Sequence, residues 1–90
     1  MKITFDPVKR EATWRDRNLD FADAVKVFAG PVINIPDIRR DYGEARIITV
    51  GMLGSRMVIV VWTQRGDARH IISMRKANDR EKARYRQRLE

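Results

Sequence analysis

Five arginines on or beside predicted strands are the side chains best suited to chemistry in this chain. Arg46, Arg56, Arg65, Arg69 and Arg75 fall within about thirty residues of one another. Each planar guanidinium can bind two phosphate oxygens and stabilise charge that develops there in a transition state. The cluster therefore favours a phosphodiester as ligand. The alternative for each arginine is a surface strand residue paired with an acid.

The alternation of side chains along a strand predicts which of these groups point the same way. It places Glu44 with Arg46 at the start of one strand. It also predicts one shared, polar face for Arg69, Ile71, Ser73 and Arg75.

Proton transfer needs further groups. With RNA as substrate the protein supplies no nucleophile, because the 2′-hydroxyl of the RNA is the nucleophile. The protein then supplies orientation, charge stabilisation, a proton acceptor and a proton donor. The candidates for these proton transfers are Lys9, Glu44, His70 and Tyr85. His70 shares strand parity with Ile72 and Met74, so a half-buried structural role is favoured over a catalytic one.

Several other chemistries are excluded by composition. The chain has no cysteine, which excludes disulfides, thiol catalysis and cysteine zinc sites. Asp37 and Asp41 lack calcium-loop spacing. Neither a glycine-rich phosphate loop nor a nucleophile elbow is present. We therefore expect no metal ion and no small-molecule cofactor.

The charge of the chain indicates its class of partner. Nineteen lysines and arginines against twelve acids give +7, and the surplus lies entirely after Ala45. A basic half is typical of a protein that binds a polyanion. Four bases at a spacing of four residues form a stripe that fits along phosphates: Lys76, Arg80, Arg84 and Arg88. The alternative is a solvated helix face.

The elements that must position these groups fit one small domain over residues 1–90. The pattern predicts a strand at 2–5, a helix from Pro7 to Arg17, and a second helix capped by Asp20. Phe21, Ala24, Val25 and Phe28 are expected to form the buried face of that second helix. Strands follow at 32–35, 45–52, 57–63 and 68–74, and a helix capped by Asn78 and Glu81 ends the chain.

The predicted fold class is α+β. Two N-terminal helices pack on an antiparallel sheet of three to four strands, and a C-terminal helix follows. The strand at 57–63 is expected at the centre of the sheet, and the one bounded by Pro36 at its edge. The longest apolar run has six residues, too short for a membrane span, and no signal peptide is recognisable, so a cytoplasmic protein is expected.

An ordered set of motifs resembles the BrnT family of bacterial type II toxins, whose fold is similar to that of RelE-type ribonucleases. The motifs span nearly the whole chain: Phe5-Asp6-Pro7-x-Lys9, Phe21-x-x-Ala24-x-x-Val27-Phe28, Asp41-Tyr42-Gly43-Glu44-x-Arg46, Gly51, Thr63-x-Arg65, Arg69-x-Ile71-Ile72-Ser73-x-Arg75-x-Ala77, Glu81 and Tyr85.

The resemblance implies a metal-independent endoribonuclease that blocks translation. It also implies a cognate antitoxin, BrnA, whose DNA-binding part dimerises, so that a two-plus-two complex represses its own operon. Many members carry Lys-His-Gly where this chain has Asp16-Arg17-Asn18. Arg17 could replace that histidine in binding phosphate but not in moving protons, because arginine stays charged.

The sequence thus predicts a site for cleaving single-stranded RNA. Its expected catalytic residues are Lys9, Glu44, Arg46, Arg65, Arg75 and Tyr85, with Arg69 as a further phosphate ligand. Glu44 is the candidate base, or else orients Arg46. Tyr85 is the candidate acid, or else docks the last helix. The rival hypothesis is a non-catalytic, basic partner protein that binds nucleic acid or serves a transcriptional regulator.

Overall fold

The computed structural model describes residues 1–89 as an α+β fold. Its elements in chain order are β1 (Lys2–Phe5), α1 (Pro7–Arg17), a 3-10 turn (Phe21–Asp23), α2 (Ala24–Ala29), β2 (Val32–Pro36), β3 (Ile47–Leu53), β4 (Arg56–Arg65), β5 (Ala68–Lys76) and α3 (Asp79–Leu89). No helix among these residues is long and apolar enough to cross a membrane.

The five strands form one mixed sheet in the order β1-β5-β4-β3-β2. The prediction of three to four antiparallel strands is therefore wrong in number and in direction. β1 runs parallel to β5, and the other neighbours are antiparallel. The pattern of four alternating residues identified β1 as a strand, but its partner lies 66 positions along the chain and leaves no local signal. The central place of β4 and the edge place of β2 are confirmed.

The first helix begins and ends as predicted. The Asp6 carboxylate accepts a hydrogen bond from the Val8 amide, and Asn18 ends the helix in the left-handed region at a φ of 56°. No residue of α1 is buried. The helix lies along β5, where the Arg17 guanidinium donates to the Met74 carbonyl oxygen at 2.9 Å.

The second predicted helix is divided in two. Asp20 accepts a hydrogen bond from the Ala22 amide and starts a 3-10 turn, and α2 adds only six residues. The buried positions are Phe21 in the 3-10 turn and Ala24 and Val27 in α2, and Phe28 is partly buried against the same cluster. The expected burial of Val25 is wrong, since its side chain is 40% exposed.

Each face of the sheet carries its own hydrophobic cluster. On the α2 face, Val58, Val60 and Trp62 of β4 pack against Phe21 and Val27. On the opposite face, called the α3 face below, residues such as Val50 and Ile59 pack near Ala77 and Leu89, and Tyr85 borders this cluster. The sheet is thus enclosed from both sides, and α3 covers only part of its face.

A β-bulge in β5 determines which face each arginine of that strand occupies. Trp62 pairs with Ile71, whereas the preceding residue, Val61, pairs with Ser73, so Ile72 has no partner on β4. Alternation therefore restarts at Ile72. Ile71 packs in the α2-face cluster, while Ser73 lines a groove on the α3 face. The prediction that Arg69, Ile71, Ser73 and Arg75 share one face is wrong.

The close approach of α2 to the sheet depends on Gly51. A Cβ added at Gly51 would lie 2.6 Å from Val27 Cγ1 and 3.2 Å from Val32 Cγ1. Both neighbours are β-branched and cannot easily rotate away. We expect Gly51→Ala to lower the free energy of unfolding by about 1–3 kcal/mol, the usual cost of overpacking.

Gly30→Ala is the matched control for this substitution. Its added Cβ would meet only the Val27 carbonyl oxygen, at 4.0 Å. Urea unfolding of the two variants and the parent checks the expectation. Equal stability of the Gly51 and Gly30 variants would show that α2 does not depend on the missing side chain.

Candidate active site

A groove on the α3 face is the candidate site. It has a volume of about 310 Å³ and lies between α3 and the chain that follows β2. Its floor is apolar and is formed by β2, β3 and β4. Its polar side chains are Arg39, Ser73, Arg75, Glu81 and Tyr85. A volume of this order suits one small organic unit, such as a nucleotide.

Arg75 enters the groove from β5 and is held by a carboxylate on α3. Two of its nitrogens donate to the Glu81 carboxylate at 2.7 and 2.8 Å. This bidentate contact lowers the pKa of Glu81 to about 2 and raises that of Arg75. Glu81 also accepts from the Asn78 amide, and Asn78 accepts from the Glu81 amide. The predicted capping box is therefore confirmed, and it fixes Arg75 as well as the helix.

Arg39 enters the groove from the opposite side. The Asp37 carboxylate is 1% exposed and accepts from Arg39 at 2.8 Å through each of its oxygens. These hydrogen bonds hold the pKa of Asp37 well below its usual range. From the sequence, Asp37 was considered only as a metal ligand, and Arg39 was not predicted as a site residue. The available signal was an acid and a base two residues apart beside the end of a strand.

Glu44 joins two of the predicted arginines beyond the end of the groove. Its carboxylate oxygens lie 3.3 Å from Arg46 Nε and 3.5 Å from an Arg65 nitrogen. The Arg46 guanidinium also stacks on the Tyr42 ring, 3.9 Å from its centre. One carboxylate and one ring thus hold two cations on the same side of the sheet, and the role of Glu44 in orienting Arg46 has direct geometric support.

His70 and Lys9 lie near this arginine pair. His70 Nδ1 is hydrogen-bonded to the Thr4 hydroxyl at 2.8 Å. The pKa of His70 is lowered, first by burial and then by the positive charges of Arg65 and Lys9, while Glu44 opposes the shift. Its imidazole is therefore neutral at pH 7. Lys9 borders a second depression together with Ser73, which also lines the groove.

Five of the six residues predicted to be catalytic lie on the α3 face, and the sixth, Lys9, lies on α1. Arg75 and Tyr85 lie at one end, and Glu44, Arg46 and Arg65 at the other, with Lys9 at the α1 side. On β4, the residues opposite His70 and Arg75 are Thr63 and Ile59, which are four residues, or about 13 Å of strand, apart.

One comparison with known proteins found a matching family. A family model described as a ribonuclease toxin, BrnT, of a type II toxin-antitoxin system matches residues 5–81. The chain belongs to the BrnT family. A search of the curated proteins found no match. The family description makes this chain a type II toxin of ribonuclease class, with a protein antitoxin as partner and RNA as target.

Arg69 of this BrnT-family chain lies on the face of the sheet opposite the groove. Its guanidinium lies 4.6 Å from the centre of the Phe28 ring and 4.4 Å from that of Trp62, on the α2 face. The β-bulge at Ile72 explains why Arg69 and Arg75 diverge. A guanidinium stacked on two rings on the opposite face does not meet a phosphate held by Arg75.

The predicted basic stripe is only partly helical. Lys76 is the last residue of β5, and α3 begins at Asp79, so the helical members are Arg80, Arg84 and Arg88. All three are exposed. Arg17, which the resemblance to the BrnT family placed at the position of a histidine, donates a hydrogen bond to the Met74 carbonyl oxygen. Among residues 1–89, no group of three or more potential metal ligands occurs.

The Arg75–Glu81 pair makes stability depend on pH. The folded pKa of Glu81 is about 2 against an ordinary 4.5, so its contribution is complete above pH 4.5 and is lost as pH falls towards 2. We expect Glu81→Gln to lower the free energy of unfolding by about 1 kcal/mol at pH 7, a figure reduced for the partial exposure of the pair. The difference from the parent should shrink below pH 4.5.

Denaturant unfolding from pH 7 to pH 2.5 measures this difference. Glu11→Gln, which neutralises an exposed glutamate on α1, is the control for loss of one negative charge. A stability loss that is independent of pH would contradict the assignment to this ion pair.

Proposed function

We propose that this protein is a metal-independent endoribonuclease toxin that cleaves single-stranded RNA in the groove of the α3 face. The observation that carries the proposal is the arrangement of Lys9, Arg46, Arg65 and Arg75 around one region of the sheet. Glu44, His70 and Tyr85 lie in the same region. Family membership supplies the ribonuclease class, and the arrangement of side chains supports the mechanism.

The arginines act on the scissile phosphate. Arg46 and Arg65 approach it from one end of the groove and Arg75 from the other, and Lys9 assists from α1. Because internal carboxylates already orient these guanidiniums, little reorganisation is needed when RNA binds. The positive charges then stabilise the additional negative charge that develops on the phosphate oxygens in the transition state.

At phosphorus, the reaction breaks one bond and forms one. The 2′-oxygen attacks the adjacent phosphorus, and the bond from phosphorus to the 5′-oxygen breaks. The 2′-hydroxyl proton passes to a base, and the leaving 5′-oxygen receives a proton from an acid. The products are a 2′,3′-cyclic phosphate and a 5′-hydroxyl. In-line attack places base and acid on opposite sides of phosphorus, which matches proton-transfer groups at opposite ends of the groove.

We assign the proton donor to Tyr85 and the acceptor to the Glu44–His70 end. Tyr85 lines the groove and its phenol hydroxyl is a group that can donate a proton. Glu44 is engaged by two arginines, which favours an orienting role. In the tautomer protonated at Nδ1, His70 donates to the Thr4 hydroxyl and its Nε2 is the nitrogen that can accept a proton. His70 therefore joins Glu44 as a candidate base.

The biological consequence is that cleavage of messenger RNA stops translation. We propose that a BrnA antitoxin neutralises the toxin in a two-plus-two complex and represses the operon through its DNA-binding part. The charge of +7 supports fast, salt-dependent association with an acidic partner. The exposed bases Arg80, Arg84 and Arg88 support additional contacts to the RNA backbone.

Cleavage in excess EDTA tests the catalytic claim. Purified protein, freed of antitoxin, should shorten a labelled RNA and leave cyclic phosphate ends. We expect Arg46→Ala/Arg75→Ala to reduce the rate by about a hundred-fold or more, since each removes stabilisation of transition-state charge. Arg15→Ala/Lys26→Ala loses the same charge from exposed helix positions outside the groove and should retain activity.

The outcomes separate the rival functions. A mobility shift with intact RNA would favour a non-catalytic binding protein, unless cleavage appears when translating ribosomes are added. Equal rates for the double variant and its control would overturn the site assignment. Thermal unfolding of each variant controls for loss of fold.

The pH dependence tests His70 as the proton acceptor. The pKa of His70 lies below the ordinary 6.5, so kcat/KM should rise with pH and reach half of its plateau value below pH 6.5. His70→Gln should lower the rate and remove this acidic limb. If the acidic limb of the His70→Gln profile lies at the same pH as that of the parent, the base is another group, such as Glu44.

A further inference from the structure

A second cavity, of about 340 Å³, lies at the other edge of α3. Its floor is apolar and consists of Met52, Met57 and Leu89. Met57 and Leu89 are only 4% and 6% exposed and belong to the α3-face cluster. This methionine pocket is therefore continuous with the hydrophobic core and open to solvent above it.

Four cations surround the methionine pocket: Arg56, Lys76, Lys82 and Arg86. Lys82 lies 3.9 Å from the carboxylate of Asp79, which is fully exposed. Among residues 1–89, no ion pair involves Arg56, Lys76 or Arg86. The groove and the region beyond its end differ in this respect, because a carboxylate holds each of their arginines: Arg39 and Arg75 in the groove, Arg46 and Arg65 beyond it. The pocket thus combines an apolar floor with positive charge that is not neutralised within the described chain.

We propose that the methionine pocket binds an acidic, amphipathic segment of a partner protein. Carboxylates of the segment meet the four cations, and one bulky apolar side chain rests on Met52 and Met57. Methionines are adaptable contacts that suit protein-binding surfaces. Single-stranded RNA is the less suitable occupant because its bases stack on aromatic rings, and the pocket lining contains none.

The pocket is separate from the groove. No residue lines both cavities. Lys82 and Arg86 face the pocket from one edge of α3, whereas Glu81 and Tyr85 face the groove from the next edge around the helix. A partner anchored in the pocket therefore leaves the groove arginines in place. Loss of the pocket cations Arg56 and Arg86 should weaken partner binding and leave RNA cleavage unchanged.

The partner in question is the antitoxin, so the inference rests on the proposed function in this respect. Methyl NMR of the protein labelled at its methionines locates the contact without any substitution. The chain has four methionines, and titration with the cognate antitoxin should shift the signals of Met52 and Met57. Met74, which is fully buried in the α2-face cluster, is the internal reference.

A second titration uses a short 2′-O-methyl RNA, which lacks the attacking hydroxyl and is not cleaved. Shifts of Met52 and Met57 with this RNA but not with the antitoxin would overturn the proposal in favour of a nucleic-acid site. Unchanged Met52 and Met57 signals in a saturated antitoxin complex would also overturn it.

Charge reversal provides the quantitative test. We expect Arg56→Glu/Arg86→Glu to weaken antitoxin binding by about ten-fold or more in calorimetry, mainly because two attractive contacts become repulsive. The control Arg15→Glu/Lys26→Glu has the same net charge and should bind within about two-fold of the parent. Similar losses in both variants would indicate non-specific charge effects and overturn the pocket assignment.

RNA cleavage by the same variants separates the two proposals. Active variants with unchanged antitoxin affinity would refute the pocket and leave the ribonuclease intact. If the parent does not cleave RNA but the pocket variant still loses antitoxin binding, the ribonuclease proposal is refuted and the pocket proposal stands.

Discussion

The unpaired residue at Ile72 is the constraint on which the arrangement of the site depends. Without it, strict alternation would direct Arg69 and Arg75 to the same face of the sheet. With it, Arg69 stacks on Phe28 and Trp62 on one face, and Arg75 meets Glu81 on the other. The bulge lies just beyond Ile71, the last residue of β5 that β1 pairs. Beyond Ile71, α1 borders β5. The same position therefore ends the pairing of β5 with β1 and exchanges the faces that the following side chains occupy.

The groove and the methionine pocket use positive charge in different ways. In the groove, each arginine is paired with an internal carboxylate, so its guanidinium has a fixed direction before a substrate arrives. Such preorganisation suits stabilisation of a transition state. In the pocket, the cations project from an apolar floor with few internal partners. Unpaired charge of this kind suits recognition and electrostatic steering of an acidic protein surface. α3 separates the two regions and contributes residues to both.

Local signals in the sequence predicted much of this structure. Asp6 and Asn18 marked the ends of α1, Asn78 and Glu81 the start of α3, and the apolar run in β4 the centre of the sheet. The 3-10 turn at Phe21, the parallel pairing of β1 and the bulge at Ile72 were missed. These features depend on packing between distant segments, which a short window of sequence does not record. The pairing of Asp37 with Arg39 has a local signal, because the two residues are only two positions apart, but only the fold brings Arg39 across the groove from Arg75.

The central claim is that RNA is processed on the α3 face and not on the α2 face. Single-turnover cleavage by Arg75→Ala and Arg69→Ala, measured side by side in EDTA, tests it most directly. The account predicts a loss of about a hundred-fold or more for Arg75→Ala, and a rate near that of the parent for Arg69→Ala once both are shown to be folded. A large loss for Arg69→Ala with normal cleavage by Arg75→Ala would contradict the account and move the site to the other face of the sheet.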